Sequence, residues 1–397
     1  MREVVIVGGA RTAIANFMGS LQDIPANELG VIALKGAMEK YKISPSWIEE
    51  VVGGHCGQAS CQGTNTARWV TIKSGCPVEA VSMTVNQQCP SSMRAAEIIS
   101  QEIMLGKIDV GAAVGYENMS SMPYLIFGAR KGYKLFQDVP IKDGLLYGGL
   151  LDPFLGYHMG VTAENIAEMY HISREEQDEY AFMSHHRAGK AIANGLFKDE
   201  IIPVEVVIKK KRTIFDTDEH PRPDSTPEAV AKLPPVFKAD GTVTAFNASG
   251  LNDAGAALIL MSADKAKELG IQPLARVVAS ASGAVEPRIM GMSVVPAVRR
   301  ALKFAGLEQD EIDYWELNEA FAAQMLGVNR ELNIPLDKMN AVGSGISLGH
   351  PVGATGVRLI ITLLSEMKRR GNRYGCAAMC ASGGPGAAFI VENLQNQ

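Results

Sequence analysis

The chain has 397 residues, enough for one large domain or two to three packed ones. Hydrophobic residues make up 47% and charged residues 20%, an ordinary globular balance, and 38 basic against 43 acidic residues leave a formal net charge of −5. Such a chain lacks the broad positive field that tracks phosphate backbones, which argues against a nucleic-acid partner, and no apolar run approaches the roughly 18 residues of a membrane span.

Val4–Val7 is a short apolar run broken by Gly8, Gly9 and Arg11. It reads as a first buried strand, not as a signal peptide. Glu28–Lys40 has helical spacing, with Leu29, Ile32, Ala33 and Ala37 on one face. Val81–Val85 and Gly111–Gly115 are further strand candidates, so the first part of the chain has the alternation of an α/β protein. From Met119 to Asn247 prolines accumulate, and the segment reads as loops and excursions from the sheet. Ser173-Arg174-Glu175-Glu176 fits a capping box ahead of a helix through Tyr180–Asn194. Lys209–Arg212 is the one local charge run; it reads first as a solvated face, with contact to an anionic ligand as the alternative.

The six cysteines are Cys56, Cys61, Cys76, Cys89, Cys376 and Cys380. Without a secretory signal they read as reduced thiols of a cytoplasmic protein. None forms a C-x-x-C pair, so no metal site is expected.

After about residue 270 the α/β alternation returns, and it repeats a pattern seen before. Cys89 is followed by Pro90, a helical stretch, Gly106-Lys107 and the small-residue run Gly111–Val114. His350 is followed by Pro351, a helical stretch, Arg370-Gly371 and the run Cys376–Met379. This reads as an internal duplication. Proline is favoured at a first helical position, where its missing N–H costs nothing. Each reactive side chain then stands just before a helix start, where free N–H groups favour negative charge, and Cys89 is expected to have a depressed thiol pKa.

Four segments carry candidate chemistry. They are Val85–Met93 around Cys89, Asn318-Glu319-Ala320-Phe321 after the apparent strand Ile312–Leu317, the Gly-rich turn Gly343–Gly356 around His350, and Cys380–Gly386. A cysteine and a histidine at helix starts are parts for thiolate catalysis, and a second cysteine beside free backbone N–H groups suits proton transfer and an oxyanion hole. Each element alone has a plainer reading: a buried small hydrophobe, a turn, a helix cap.

Together these segments resemble the thiolase family, and the resemblance runs nearly the whole chain. Arg11-Thr12, His158–Asn165, Asp218–Arg222, Gly241–Ala245, Asn247–Gly250 and Pro287–Met292 match as well. The resemblance implies an α/β thiolase fold: two similar βαβαβαββ halves in a five-layer αβαβα sandwich with an inserted loop domain. The N-terminal half would take residues 1–120 and 251–272, the loop domain 121–250, and the C-terminal half 273–397.

The resemblance also implies Claisen condensation of two acyl-CoA molecules, or cleavage of a 3-oxoacyl-CoA by CoA. It casts Cys89 as the acylated nucleophile and His350 as its base and a donor to a thioester oxygen. Cys380 resembles the acid/base cysteine, and Asn318 resembles the holder of an oxyanion-hole water. The N–H groups of Cys89 and Ser382 match the second hole. For CoA it points to Arg222 near the adenine and Ser249 on the pantetheine. Leu150, His158, Met159, Ala245, Phe237, Ala320 and Phe321 would line the tunnel. CoA and acyl-CoA are substrates on this reading, with no tightly bound cofactor. The expected state is a homodimer or homotetramer. The alternative is an acyl-CoA-binding subunit that needs an accessory chain for turnover.

The chain departs from the family pattern at Pro90, Ser92, Phe246, Ser293 and Ser382, mostly where glycine is usual. These positions are expected near the acyl or pantetheine path. A phenyl ring at 246 is expected to fill part of the tunnel or to move its loop, which leaves acetyl transfer and a bulkier 3-oxoacyl substrate both open.

Overall fold

The computed structural model describes residues 1–58 and 63–395. Cys61 lies outside the described residues; the other five cysteines are free thiols.

The first half runs β1 (Val4–Thr12), α1 (Ala26–Lys40), β2 (Glu50–Gly54), α2 (Thr66–Lys73), β3 (Val81–Val85), α3 (Ser91–Met104) and β4 (Val110–Asn118). The chain then leaves the sheet. The excursion contains α4 (Met159–Met169), α5 (Arg174–Ala193) and a hairpin of Val204–Ile208 with Lys211–Phe215, before the sheet resumes at β5 (Asn252–Ser262). The second half runs β6 (Ala275–Ala284), α6 (Val294–Ala305), β7 (Tyr314–Leu317), α7 (Ala322–Leu332), α8 (Val352–Arg370), β8 (Tyr374–Cys380) and β9 (Pro385–Asn393).

The strands lie in the order β7-β8-β9-β6-β1-β5-β4-β2-β3. This order makes the duplication explicit. In the first half β2 pairs parallel with β3 and β4, β4 pairs antiparallel with β5, and β5 antiparallel with β1. In the second half β7 pairs parallel with β8, β8 antiparallel with β9, and β9 antiparallel with β6. The partner equivalent to β3 has shrunk to one parallel bridge, Trp315 to Met339. Even the irregularities repeat: a bulge falls between Ile6 and Gly8 in β1 and between Val277 and Ala279 in β6. The halves are joined edge to edge, Val5 opposite Arg276 and Ile6 opposite Ala275, so these nine strands form one continuous sheet, to which the two-residue strands Ala15–Asn16 and Ile201–Ile202 add to make eleven.

The layers follow from the two-residue period of the strands. Val5 and Val7 pack outward with α1, while Val4 and Ile6 face inward onto α3 and α8. In β8, Ala377 and Met379 face the same inner helices, and Cys376 and Ala378 pack outward with α6 and α7. The inner helices are thus enclosed by both halves of the sheet, giving five layers.

The helices end close to where the sequence places them. Ser173 forms the expected capping box: its Oγ accepts the Glu176 N–H at 3.1 Å, and Glu176 accepts the Ser173 N–H at 2.7 Å. The prolines sit one residue earlier than expected: Pro90 and Pro351 are caps, not first helical residues. The basic run Lys209–Arg212 spans the hairpin tip: Lys209 and Lys210 form the turn with positive φ, and Lys211 and Arg212 open the second strand.

Arg11 ties β1 to the excursion. Fully buried, it bonds Asp218 at 2.8 and 3.0 Å and Glu200 at 3.1 Å. Leucine there would leave two buried carboxylates without their cation. Arg11→Leu is expected to lower unfolding stability by about 3–5 kcal/mol, read from urea melts.

Candidate active site

The turn before α3 presents Cys89. Asn86 Oδ1 accepts the Gln88 N–H at 2.8 Å, and Ser91 Oγ accepts the Gln87 N–H at 2.9 Å. Gln88 is forced to φ +59°, a left-handed conformation that a non-glycine residue holds only when its surroundings over-determine it. Cys56 contributes to that constraint by donating its thiol to the Gln88 carbonyl at 3.0 Å.

His350 is held from three sides. Its N–H donates to Asn252 Oδ1 at 2.9 Å. The preceding Gly349 lies at φ +100°, and a Cβ there would fall 2.5 Å from the Asn252 side chain, so only glycine fits. The imidazole Nδ1 lies 2.8 Å from Thr355 Oγ1, whose own proton goes to the Pro351 carbonyl at 2.9 Å. Thr355 therefore accepts, Nδ1 carries the proton, and Nε2 is left with its lone pair free. Asn318 is fully buried with Nδ2 3.5 Å from that Nε2, and its Oδ1 has no partner among the described residues.

Cys380 closes β8. The hairpin beyond it is tight: the Ala381 N–H donates to Pro385 at 2.8 Å, and Gly384 (φ +99°) approaches the Val285 carbonyl too closely for a side chain. That turn directs the Ser382 N–H, with the Cys89 N–H, at the Cys89 sulfur.

These groups open onto one cavity of about 390 Å³. Cys89, His350, Cys380 and Ser382 line it. So do Arg222, Ser249, Leu150, His158 and Met159, together with Ala245, Phe237, Ala320 and Phe321. Asn318 stands behind His350. The wall is built by docking the excursion on the second half: Ser249 donates to the Ala320 carbonyl at 2.9 Å, and Ala248 bridges Phe321. His158 caps α4 and stacks on Phe237 at 4.6 Å. Lys209–Arg212 does not line it.

Two expectations fail. Cys89 does not rest as a thiolate: desolvation pushes its thiol up to about 11, and the N–H groups of Ser382 and Cys89 only partly offset this. At a helix start the dipole favours the anion, but here the loss of water outweighs it. Nor does Phe246 enter the tunnel. Its ring is buried in the core of the excursion, 4.9 Å from Phe182 and 4.7 Å from His185. Position 246 is not left-handed and has room, so glycine is not required there. Pro90, Ser92 and Ser293 also turn away from the cavity. Ser92 Oγ accepts the Val357 N–H at 3.0 Å, and Ser293 Oγ lies 2.7 Å from Met290 O and 2.8 Å from Pro385 O. Of the five departures only Ser382 lines it.

Burial keeps the imidazole and the second thiol in their neutral forms as well. Burial, then the charge of Arg358, lowers His350 to about 3, so its imidazole is neutral at physiological pH. Burial, then proximity to Cys89, raises the Cys380 thiol far above its ordinary value.

Sequence reasoning missed Glu117, His55, Thr355 and Asn252. Glu117 is fully buried, and its carboxylate accepts N–H groups from Cys56 (3.0 Å), Gly57 (2.9 Å) and Gly353 (3.0 Å) and lies 3.4 Å from His55 Nε2. Burial works against its charge, but His55 and these N–H donors outweigh it and hold the carboxyl below its usual range. Its one sequence signal is an acid at the end of a run of small apolar residues.

The family of the thiolase N-terminal domain matches residues 4–264, and that of the thiolase C-terminal domain matches residues 271–393. An acetyl-CoA acetyltransferase of Syntrophomonas wolfei is 48% identical over 396 residues, covering 99% of this chain and all of that protein. A beta-ketothiolase of Cupriavidus necator is 45% identical, covering 99% of this chain and all of that protein. The crystal structure of human mitochondrial 3-ketoacyl-CoA thiolase in complex with CoA superposes with a TM-score of 0.95 at 40% identity, covering 99% of this chain and 98% of that one. A duplicated α/β sandwich with these relatives is an acyltransferase fold. The chain belongs to the thiolase family.

A thiol resting near 11 has a precise consequence for its chemistry. The thiolate fraction grows about tenfold per pH unit below that value. Alkylation of Cys89 by iodoacetamide, followed by peptide mass mapping, is expected to climb steadily from pH 7 to pH 9; a plateau below pH 8 would contradict it. Thr355→Val removes the acceptor that keeps the proton on Nδ1, and is expected to lower kcat at least about tenfold with little change in KM.

Proposed function

We propose that the chain is a thiolase that interconverts acyl-CoA and 3-oxoacyl-CoA through an acyl-enzyme on Cys89. The observation that carries this reading is the convergence of two thiols, one neutral imidazole and two backbone N–H groups on one cavity. His350 Nε2 takes the Cys89 proton as sulfur attacks the thioester carbonyl. The departing CoA sulfur receives that proton, and the acyl group stays on Cys89. Cys380 then passes its thiol proton to His350 Nε2 and, as a thiolate, takes an α-proton from the second acyl-CoA. His350 and a water held by Asn318 stabilise the enolate oxygen. The enolate carbon attacks the Cys89 thioester, whose oxyanion faces the N–H groups of Cys89 and Ser382. Collapse expels the Cys89 sulfur, which recovers its proton from the His350 imidazolium. The enolate and the tetrahedral oxyanion form at different steps, so each needs its own donors, and one such donor is worth on the order of 10²–10³ in rate.

Arg222 serves the adenine end of CoA. Ser249 contacts the pantetheine, which runs past His158, Met159, Leu150, Ala245, Phe237, Ala320 and Phe321. CoA and its thioesters are substrates, and no tightly bound cofactor enters the cycle. Acetyl transfer is the favoured chemistry. The Syntrophomonas wolfei relative, 48% identical, is an acetyl-CoA acetyltransferase. All reacting side chains come from one chain, so no accessory subunit is invoked.

The chain self-associates as a homodimer or homotetramer on this reading. Edge strand β3 exposes Val81 and Met83, and the excursion exposes Tyr124, Phe127, Leu135 and Phe136. The described residues include no helix long and apolar enough to cross a membrane. The requirement for a free thiol suits the reducing cytoplasm.

Incubation of the purified chain with acetyl-CoA is expected to add one acetyl group, mapped to Cys89; an adduct confined to Cys380 would overturn the assignment. Cys380→Ser is expected to keep acyl-enzyme formation while condensation falls by about 10²–10⁴. Equal loss of both steps would merge the two roles.

A further inference from the structure

Arg222 is an exposed cation on the rim of the cavity. No carboxylate pairs with it among the described residues. Two things hold it instead. Its guanidinium lies over the Phe246 ring, 5.6 Å from the centroid, and its Nη2 donates to the Ala245 carbonyl at 3.0 Å. Its backbone N–H donates to His185 Nδ1 at 3.2 Å, and the His185 ring packs on the same phenyl at 4.7 Å. Burial, followed by the charges of Arg222 and His220, keeps His185 neutral, so it adds no competing cation beneath the guanidinium. The phenyl ring is itself fixed. Phe182 and His185, one turn apart on α5, pack against it, and Thr244 Oγ1 accepts the Phe246 N–H at 3.2 Å.

We propose that Phe246 is a positioning residue for Arg222: its ring presents the guanidinium to the nucleotide end of CoA and so sets the preference for CoA over thiols that lack a nucleotide. A long, flexible arginine on a rim loses rotamer freedom when it grips a ligand. A ring that already holds the guanidinium by cation–π attraction removes part of that loss before the ligand arrives. The effect falls on binding of the nucleotide, not on the reacting sulfur atoms. The proposal rests on the reading of the cavity as a CoA site.

The test is the steady-state thiolysis of acetoacetyl thioesters by the full chain with CoA or with pantetheine as the thiol. Phe246→Leu keeps an apolar side chain of similar burial and removes the π face. It is expected to raise KM for CoA about three- to fivefold with kcat unchanged, so that the CoA-to-pantetheine KM ratio rises by a similar factor. In an Arg222→Ala background the same change is expected to leave that ratio where Arg222→Ala alone puts it. A parallel rise for CoA and pantetheine, or no rise for either, would overturn the proposal. If Phe246→Leu does not fold, Phe246→Met is judged by the same ratio. If Arg222→Ala itself leaves the ratio at the wild-type value, the fault lies with the reading of the rim as the nucleotide end. If Arg222→Ala shifts the ratio and the Phe246 variants do not, the fault lies with the role of Phe246 alone.

Discussion

The site depends on one buried carboxylate. Glu117 Oε2 accepts both the Cys56 N–H from the nucleophile side and the Gly353 N–H from the first turn of α8. A buried carboxylate is strongly unfavourable unless its lone pairs are filled, so these donors cannot drift apart without exposing a naked charge. Cys56 in turn holds the Gln88 carbonyl beneath Cys89, and Gly353 lies three residues beyond His350. One side chain on a central strand therefore fixes the spacing of Cys89 and His350. His55 completes the arrangement through Thr66 (3.0 Å) and Tyr116 (2.9 Å from Thr66), anchoring the carboxylate's partner in the core.

Duplication supplies what the carboxylate joins. Each half ends a loop with a reactive side chain, then a proline, then an inner helix. Because α3 and α8 pack against each other, with Ser92 accepting from Val357, the two helix starts come side by side. A chain with one half would have a cysteine at a helix start and no imidazole sharing its cavity. The same packing dries the site. Lost hydration pushes thiol and imidazole in opposite directions, toward neutral forms of both. No resting thiolate is then left open to oxidation or alkylation.

Much of this was legible in the sequence because it is local. Strand alternation, the capping box at Ser173 and the residues flanking Cys89 and His350 are short-range patterns with direct backbone causes. The family resemblance rests on motifs at those same turns, and the cavity they share collects all of the named side chains except Asn318 at its surface. What was not legible is long-range. Glu117 meets Gly353 across more than half the chain, and the joining of the two sheet halves at Val5 and Ile6 has no periodic signal. The thiol pKa departs from expectation for the same reason: the helix start is local, whereas the burial that overrides it belongs to the assembled fold.

The direction of a side chain is the hardest of these properties to read. A position where relatives place glycine suggests a site that tolerates no Cβ, yet glycine is obligatory only where φ is left-handed or a neighbour crowds the backbone. Gly349 meets both conditions, against Asn252. Position 246 meets neither, and its side chain points into the core formed by α5. Ser92 and Ser293 likewise spend their hydroxyls on backbone partners within the fold. Departures that look clustered along the substrate path in one dimension are thus divided in three. Four brace the scaffold behind the cavity, and one, Ser382, stands at its lining and contributes through its backbone N–H. A pocket can keep its donors while its supports change, because a main-chain N–H survives any replacement that leaves the turn intact.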